Sequence, residues 1–191
     1  MKTGIPGLEE FLCTLRGLLP WAGACAAVPF AAYLTSASPP WPSGIVVATS
    51  IAELGAVWFT YQLLRAATGR RAAVVIFVSA VSIAELSVGY LTLNSRFTFE
   101  IPATKERSAK GFVCTYAAKL VHEDKCPNLG KAELEAANYS PLTLWTFESF
   151  NVVRVTLVVL WSMGFAALSV FAGTFAAFQS LKRSERNRQR L

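Results

Sequence analysis

The stretch AAVVIFVSAVSIAELSVGYLTL (Ala72–Leu93) decides the fold class. Its sole Asp, Glu, Lys or Arg is Glu85, and Val, Ile, Leu, Phe and Ala fill most of the rest. About 20 consecutive apolar residues, rising 1.5 Å each as a helix, cross a hydrocarbon core of roughly 30 Å. The pattern recurs on both sides. From Leu18 to Leu64 the sole charged residue is Glu53, and from Ser149 to Leu181 it is Arg154. Across all 191 residues, 53% are hydrophobic and 16% charged. A soluble domain carries about 25% charged residues.

The sequence therefore predicts an all-α membrane protein, a four-transmembrane-helix antiparallel bundle with a small helical extracytoplasmic cap. Residues 18–93 hold the first three spans, at Leu18–Ser36, Ser43–Leu64 and Ala72–Leu93. The fourth lies in 150–181 and is longer than a bilayer needs. SASPPWPS separates spans one and two, since its prolines cannot continue a helix. RAATGRR makes a tight basic turn between spans two and three. Residues 1–17 read as an interfacial helix rather than a cleavable signal, with Ile5, Leu8, Phe11, Leu12 and Leu15 at helical spacing. Residues 94–149 form the outer loop, and 182–191 a basic tail.

The pentapeptide SIAEL occurs twice, at Ser50–Leu54 and Ser82–Leu86. Each copy puts a carboxylate inside a span. A hairpin folded at Gly69 brings Glu53 and Glu85 to similar depths, ~14 Å and ~12 Å below the outer surface, with Arg154 ~6 Å deep. An ionisable group in a span costs about 2.5–3.5 kcal/mol and rarely faces lipid. Glu53, Glu85 and Arg154, with Ser50 and Ser82, are thus candidates for one intramembrane polar cluster. Three roles stay open: structural glue between helices, an ion or proton site, and a ligand or lipid site. Gly23, Ala27 and Ala31 form one row of small residues, and Ser169, Gly173 and Ala177 another. Such rows let helices approach closely, either inside the bundle or between copies, and a homo-oligomer is expected.

Basic residues in short loops set orientation. Lys2, Arg16, Arg65, Arg70, Arg71, Lys182, Arg183, Arg186, Arg188 and Arg190 gather on one side, which places both termini in the cytoplasm and the long loop outside. A bacterial inner membrane is the expected location. The tail and the Arg65/Arg70/Arg71 turn would bind anionic lipid headgroups or dock a cytoplasmic protein partner. Direct nucleic-acid binding is not expected, because no folded reader accompanies the tail.

In the outer loop, Cys114 and Cys126 are candidates for a disulfide, with two free buried thiols the alternative. Residues 105–126 read as a helix with an apolar stripe of Phe112, Val113, Tyr116, Leu120 and Val121. RFTFEI alternates as a short extended piece, and a second helix starts near Lys131. Trp145, Phe147 and Phe150 read as an aromatic belt at the membrane interface. The one histidine, His122, is read as a surface residue. No metal-binding, nucleotide-binding or serine-nucleophile motif appears, so neither metal, cofactor nor enzyme activity is expected.

The plan of short outer turn, tight inner turn and large disulfide-bearing outer loop resembles tetraspanins, without their Cys-Cys-Gly signature. In size and plan the chain is also similar to the membrane subunit of the Kiwa bacterial phage-defence system. That resemblance covers the whole chain as architecture, and no family residue is carried over. It implies a non-enzymatic oligomeric sensor or scaffold in antiviral defence, coupling an envelope-side event to a cytoplasmic partner. The competing readings are a small ion channel or ion-coupled transporter using the intramembrane charges, and an accessory subunit of a larger membrane complex.

Overall fold

A computed structural model describes residues 6–64 and 67–188, with side-chain surroundings for 19–64 and 67–180. Lys2, Arg65 and Arg190 lie outside the described residues. So do the side chains of Cys13, Arg16, Lys182, Arg183, Arg186 and Arg188, and the apolar stripe expected on 1–17. The structure is mostly helical. The elements run α1 (Pro6–Leu34), α2 (Ile45–Leu64), α3 (Gly69–Phe97), β1 (Thr98–Glu100), β2 (Arg107–Ala109), α4 (Tyr116–Val121), α5 (Lys131–Ala136), α6 (Pro141–Leu144) and α7 (Phe147–Arg188).

Among the described residues, three helical stretches are long and apolar enough to cross a membrane: Ile45–Leu64, Gly69–Phe97 and Phe147–Ser180. A shorter apolar stretch, Leu19–Leu34, lies within α1. The 34 residues of the last long stretch extend ~51 Å, well beyond a hydrocarbon core. The expected division between an interfacial helix and a first span does not occur as a break. α1 is one helix through both Pro20 and Pro29. Each proline removes an N–H from the ladder, which a helix tolerates when its neighbours support the freed carbonyl.

The chain forms two compact units. The first comprises 1–36, 46–86 and 162–191; the second comprises 37–45 and 87–161. In the first, a core of Cys25, Val57 and Ala172 joins α1, α2 and α7, with Ala22 and Leu168 packed against it. Trp21 meets Phe175 edge-on, their ring centroids 5.2 Å apart. Gly69, at the start of α3, lies near Phe178, and Gly164 near Leu86.

The second unit has its own core of Cys114, Ala118, Leu129, Leu134, Leu144 and Trp145. β1 and β2 pair antiparallel, with Phe99 opposite Ser108. This hairpin corrects the long helix read over 105–126, of which only Tyr116–Val121 is helical. Thr115 explains the late start: its hydroxyl accepts from the Ala118 N–H and donates to the Thr143 carbonyl, 2.8 Å away. A Cys114–Cys126 disulfide ties the start of this segment to its end. Trp145 is not at an interface, as the aromatic-belt reading had it. It is fully buried, and its indole N–H donates to the Pro127 carbonyl. Gly111 backs onto it, and a Cβ there would fall 2.5 Å from the Trp145 Cβ.

Candidate functional site

The first unit is built the reverse way from a soluble helix bundle. α2 buries Val46, Thr49, Ser50, Glu53, Val57 and Thr60, one stripe at three- and four-residue spacing that contains four polar side chains. Its exposed side carries Ile51, Leu54, Trp58, Phe59 and Leu63. Apolar side chains outward and polar ones inward suit a solvent of lipid tails.

Glu53 sits in the middle of the buried stripe, with 2% of its surface exposed. Neither carboxyl oxygen has a hydrogen-bond partner among the described residues. Ser169 of α7 is fully buried, and its hydroxyl also lacks a partner there. The Cys25 thiol of α1 is buried against Val57, one turn along α2 from Glu53. One turn before Glu53, the Ser50 hydroxyl donates to the Ala26 carbonyl of α1 at 3.0 Å. One turn after Glu53, α2 touches α7: a Cβ on Gly173 would lie 2.7 Å from the Val57 carbonyl oxygen. The helices are closest where the glycine is, because any side chain there would hold them apart.

The expected five-residue cluster does not assemble as read. Ser50 and Glu53 are buried, but Ser82 is half-buried and Glu85 exposed. The two SIAEL copies therefore have different surroundings. Glu85 stands on the outer stripe of α3 with Phe77, Val81 and Val88, all exposed. Arg154 belongs to the second unit, where it is in ion-pair range of no described carboxylate. Its guanidinium lies over the Trp41 ring at 4.4 Å and the Phe150 ring at 5.0 Å. The two small-residue rows also part ways. Ser169, Gly173 and Ala177 are buried inside the protomer. Gly23, Ala27 and Ala31 are exposed, and nothing lies within 4 Å of a Cβ on Gly23.

In the second unit, sequence reasoning missed Arg107. Its guanidinium donates to the Ser38 carbonyl (3.2 Å), the Asn94 side-chain oxygen (3.2 Å) and the Thr98 hydroxyl (2.5 Å). Tyr90 donates its hydroxyl proton to the Ala37 carbonyl at 2.6 Å. With Arg154 on Trp41, three side chains hold segment 37–45. No local pattern marks Arg107, since it stands among other loop charges and its partners come from distant segments. Beside α4 and α5, Lys125 bonds Glu133 at 2.5 Å, and the Gly130 N–H donates to the same carboxylate. The Lys125 hydrogen bond, with backbone donors, holds the Glu133 carboxyl down to about 2. The predicted apolar stripe of the cap points outward. Tyr116, Leu120 and Val121 are each at least 70% exposed.

No family model, curated protein or solved structure matches the chain.

Proposed function

We propose that this chain is a non-enzymatic subunit of an oligomeric membrane sensor or scaffold. Its four spans, α1, α2, α3 and α7, form an antiparallel bundle, with both termini in the cytoplasm of a bacterium and the loop 94–149 on the outer side of the inner membrane. Two contacts in the first unit support the helix directions. Gly69 near Phe178 and Leu86 near Gly164 run α3 opposite to α7. The short connection between α2 and α3 then runs α2 alongside α7. The Cys114–Cys126 disulfide fits an oxidising outer compartment.

Glu85 is the observation that carries the reading. It is exposed on the apolar face of a membrane-length helix, where contact with lipid costs about 2.5–3.5 kcal/mol. A second copy covering this face removes that cost, and the exposed Gly23/Ala27/Ala31 row offers a surface for close helix approach. Exposed Tyr116, Leu120 and Val121 supply an input surface on the cap. The basic cytoplasmic segments supply the dock for a partner, in line with the similarity in plan to the Kiwa membrane subunit and its role in phage defence.

The test is purification from native membranes in mild detergent, reading intact mass and co-purifying proteins together. A multiple of the protomer mass with a soluble partner supports the proposal. A lone protomer sinks it. The second reading, an ion channel or ion-coupled transporter, is favoured by the unpartnered carboxyl of Glu53. Flux that disappears in Glu53→Gln while assembly survives would select it. Co-purification of a large membrane enzyme would select the accessory-subunit reading.

A further inference from the structure

Two polar side chains in the first unit are buried without a hydrogen-bond partner among the described residues, and they belong to adjacent helices. They are Glu53 on α2 and Ser169 on α7. Gly173 fixes their register. It lies against Val57 and Thr60, and one turn back along each helix stand Glu53 and Ser169. This pairing rests on the helix directions proposed above, because only helices running the same way bring these two level. Cys25 and Ala26 of α1 flank the same place, through the Cys25–Val57–Ala172 core and the Ser50 bond.

We infer that Glu53 is a proton-binding site, its carboxyl carried as the neutral acid at neutral pH, with the Ser169 hydroxyl, unbonded to it in the structure, the acceptor that a side-chain rotation would bring to the acid. The side-chain donors are few for a bound cation. A bound alkaline-earth cation takes about six or more oxygens, and the side chains here offer three. An ion pair needs a cation, and no ion pair forms at Glu53 among the described residues. The other elements packed here present Cys25 from α1 and Ser169 from α7. On α3, Glu85, Arg70 and Arg71 are exposed rather than turned into this interior. A bare carboxylate without partners in a dry interior is the costliest form of the group; the acid needs only one acceptor. The Ser169 hydroxyl can supply that acceptor and then donate its own proton to a carbonyl of the preceding turn.

The site has a mechanical consequence. Releasing the proton requires water to receive it and to solvate the carboxylate left behind. The α2–α7 seam is closed tightly at Gly173, and opening it would admit that water to Glu53. Proton release and seam opening are therefore linked, and anything that opens the seam favours release. This deepens the sensor reading by naming proton activity as something the first unit responds to.

The test is infrared spectroscopy of the full-length protein in phosphatidylcholine–phosphatidylglycerol nanodiscs. At neutral pH the protein should show a carboxylic-acid C=O band that Glu53→Gln removes. If Glu53→Gln leaves every such band in place, the inference is wrong. Ser169→Ala keeps the proposal testable even if Glu53→Gln does not fold. It should move the band to higher wavenumber, because the acid loses its acceptor. Gly173→Ala should speed exchange of this proton in deuterium oxide severalfold by admitting water. A band lost in Glu53→Gln but unmoved in Ser169→Ala would keep the proton site and overturn the Ser169 pairing. The assembly state plays no part in these readouts, so the oligomer can fail separately.

Discussion

Gly173 is the residue at which one methyl group has most to disturb. A Cβ there would meet the Val57 carbonyl oxygen at 2.7 Å and the Thr60 Cβ at 2.8 Å. Neither atom is the loose end of a long side chain, so the helices themselves must move. Gly173→Ala should therefore destabilise the detergent-solubilised protein by about 1–3 kcal/mol, seen as an earlier unfolding midpoint. Gly23→Ala is the matched control on a surface with nothing nearby, and its effect on the protomer should stay within about 0.5 kcal/mol. Equal losses at the two sites would refute the packing described. Glu133 makes a different prediction. Its folded pKa of about 2 lies below the ~4.3 of a free glutamate. The stabilisation is therefore complete above ~4.3 and disappears as pH falls toward about 2. The fluorescence of buried Trp145 should report loosening of the second unit across that window. Glu133→Gln, which cannot titrate, should flatten that pH dependence.

At the scale of elements, segment 37–45 depends on side chains far away in sequence. Ser38 and Ala37 give their carbonyls to Arg107 and Tyr90, and Trp41 lies under Arg154. Arg107→Ala removes several charge-assisted bonds and leaves Asn94, 6% exposed, short of a donor. Such losses cost roughly 1–3 kcal/mol, and hydrogen exchange should accelerate at the amides around Ser36 and Gly44 but not in α5. Unchanged exchange there would mean that the loop holds itself. This dependence also marks the limit of what the sequence discloses. Membrane-length helices were legible at α2, α3 and α7 because apolar length is a local property. The start of α5 near Lys131 was legible for a similar reason. The β1–β2 hairpin was half visible, as the alternation of RFTFEI, but its partner Arg107–Ala109 has no apolar period of its own. Glu53 stood out in the sequence, since a lone carboxylate in a span is conspicuous. Which side of its helix each carboxylate occupies was not. Both SIAEL copies read the same, yet Glu53 is buried and Glu85 exposed, because helix rotation is set by neighbours such as Gly173 that lie over a hundred residues away.

For the molecule as a whole, the distribution of polarity leaves one group without an environment that suits it. The first unit puts Thr49, Ser50, Glu53, Thr60, Ser169 and Thr174 inside and keeps apolar side chains outside, as a lipid solvent demands. Glu85, midway along α3, breaks that rule, whereas Glu53 keeps it. Its neighbours on the same stripe, Phe77, Val81 and Val88, show that the face itself is apolar. A protomer dispersed in lipid would leave the carboxyl against hydrocarbon, whereas an assembly can supply a hydrogen-bond partner. Glu85→Leu makes the protomer better suited to lipid and the interface poorer by one polar contact. Such contacts contribute about 0.6–2 kcal/mol between membrane helices. The variant should therefore insert and fold normally, yet dissociate at a detergent-to-protein ratio several times lower than the native chain tolerates. Analytical ultracentrifugation across a detergent series measures this directly. Glu85→Gln, which keeps a hydrogen-bonding side chain, should restore most of the association. If Glu85→Leu associates as strongly as the native chain, no partner meets this carboxyl, and the oligomer loses its main physical support. If Glu85→Gln behaves like Glu85→Leu, the contact needs the acid itself, and the face opposite must then present a cation.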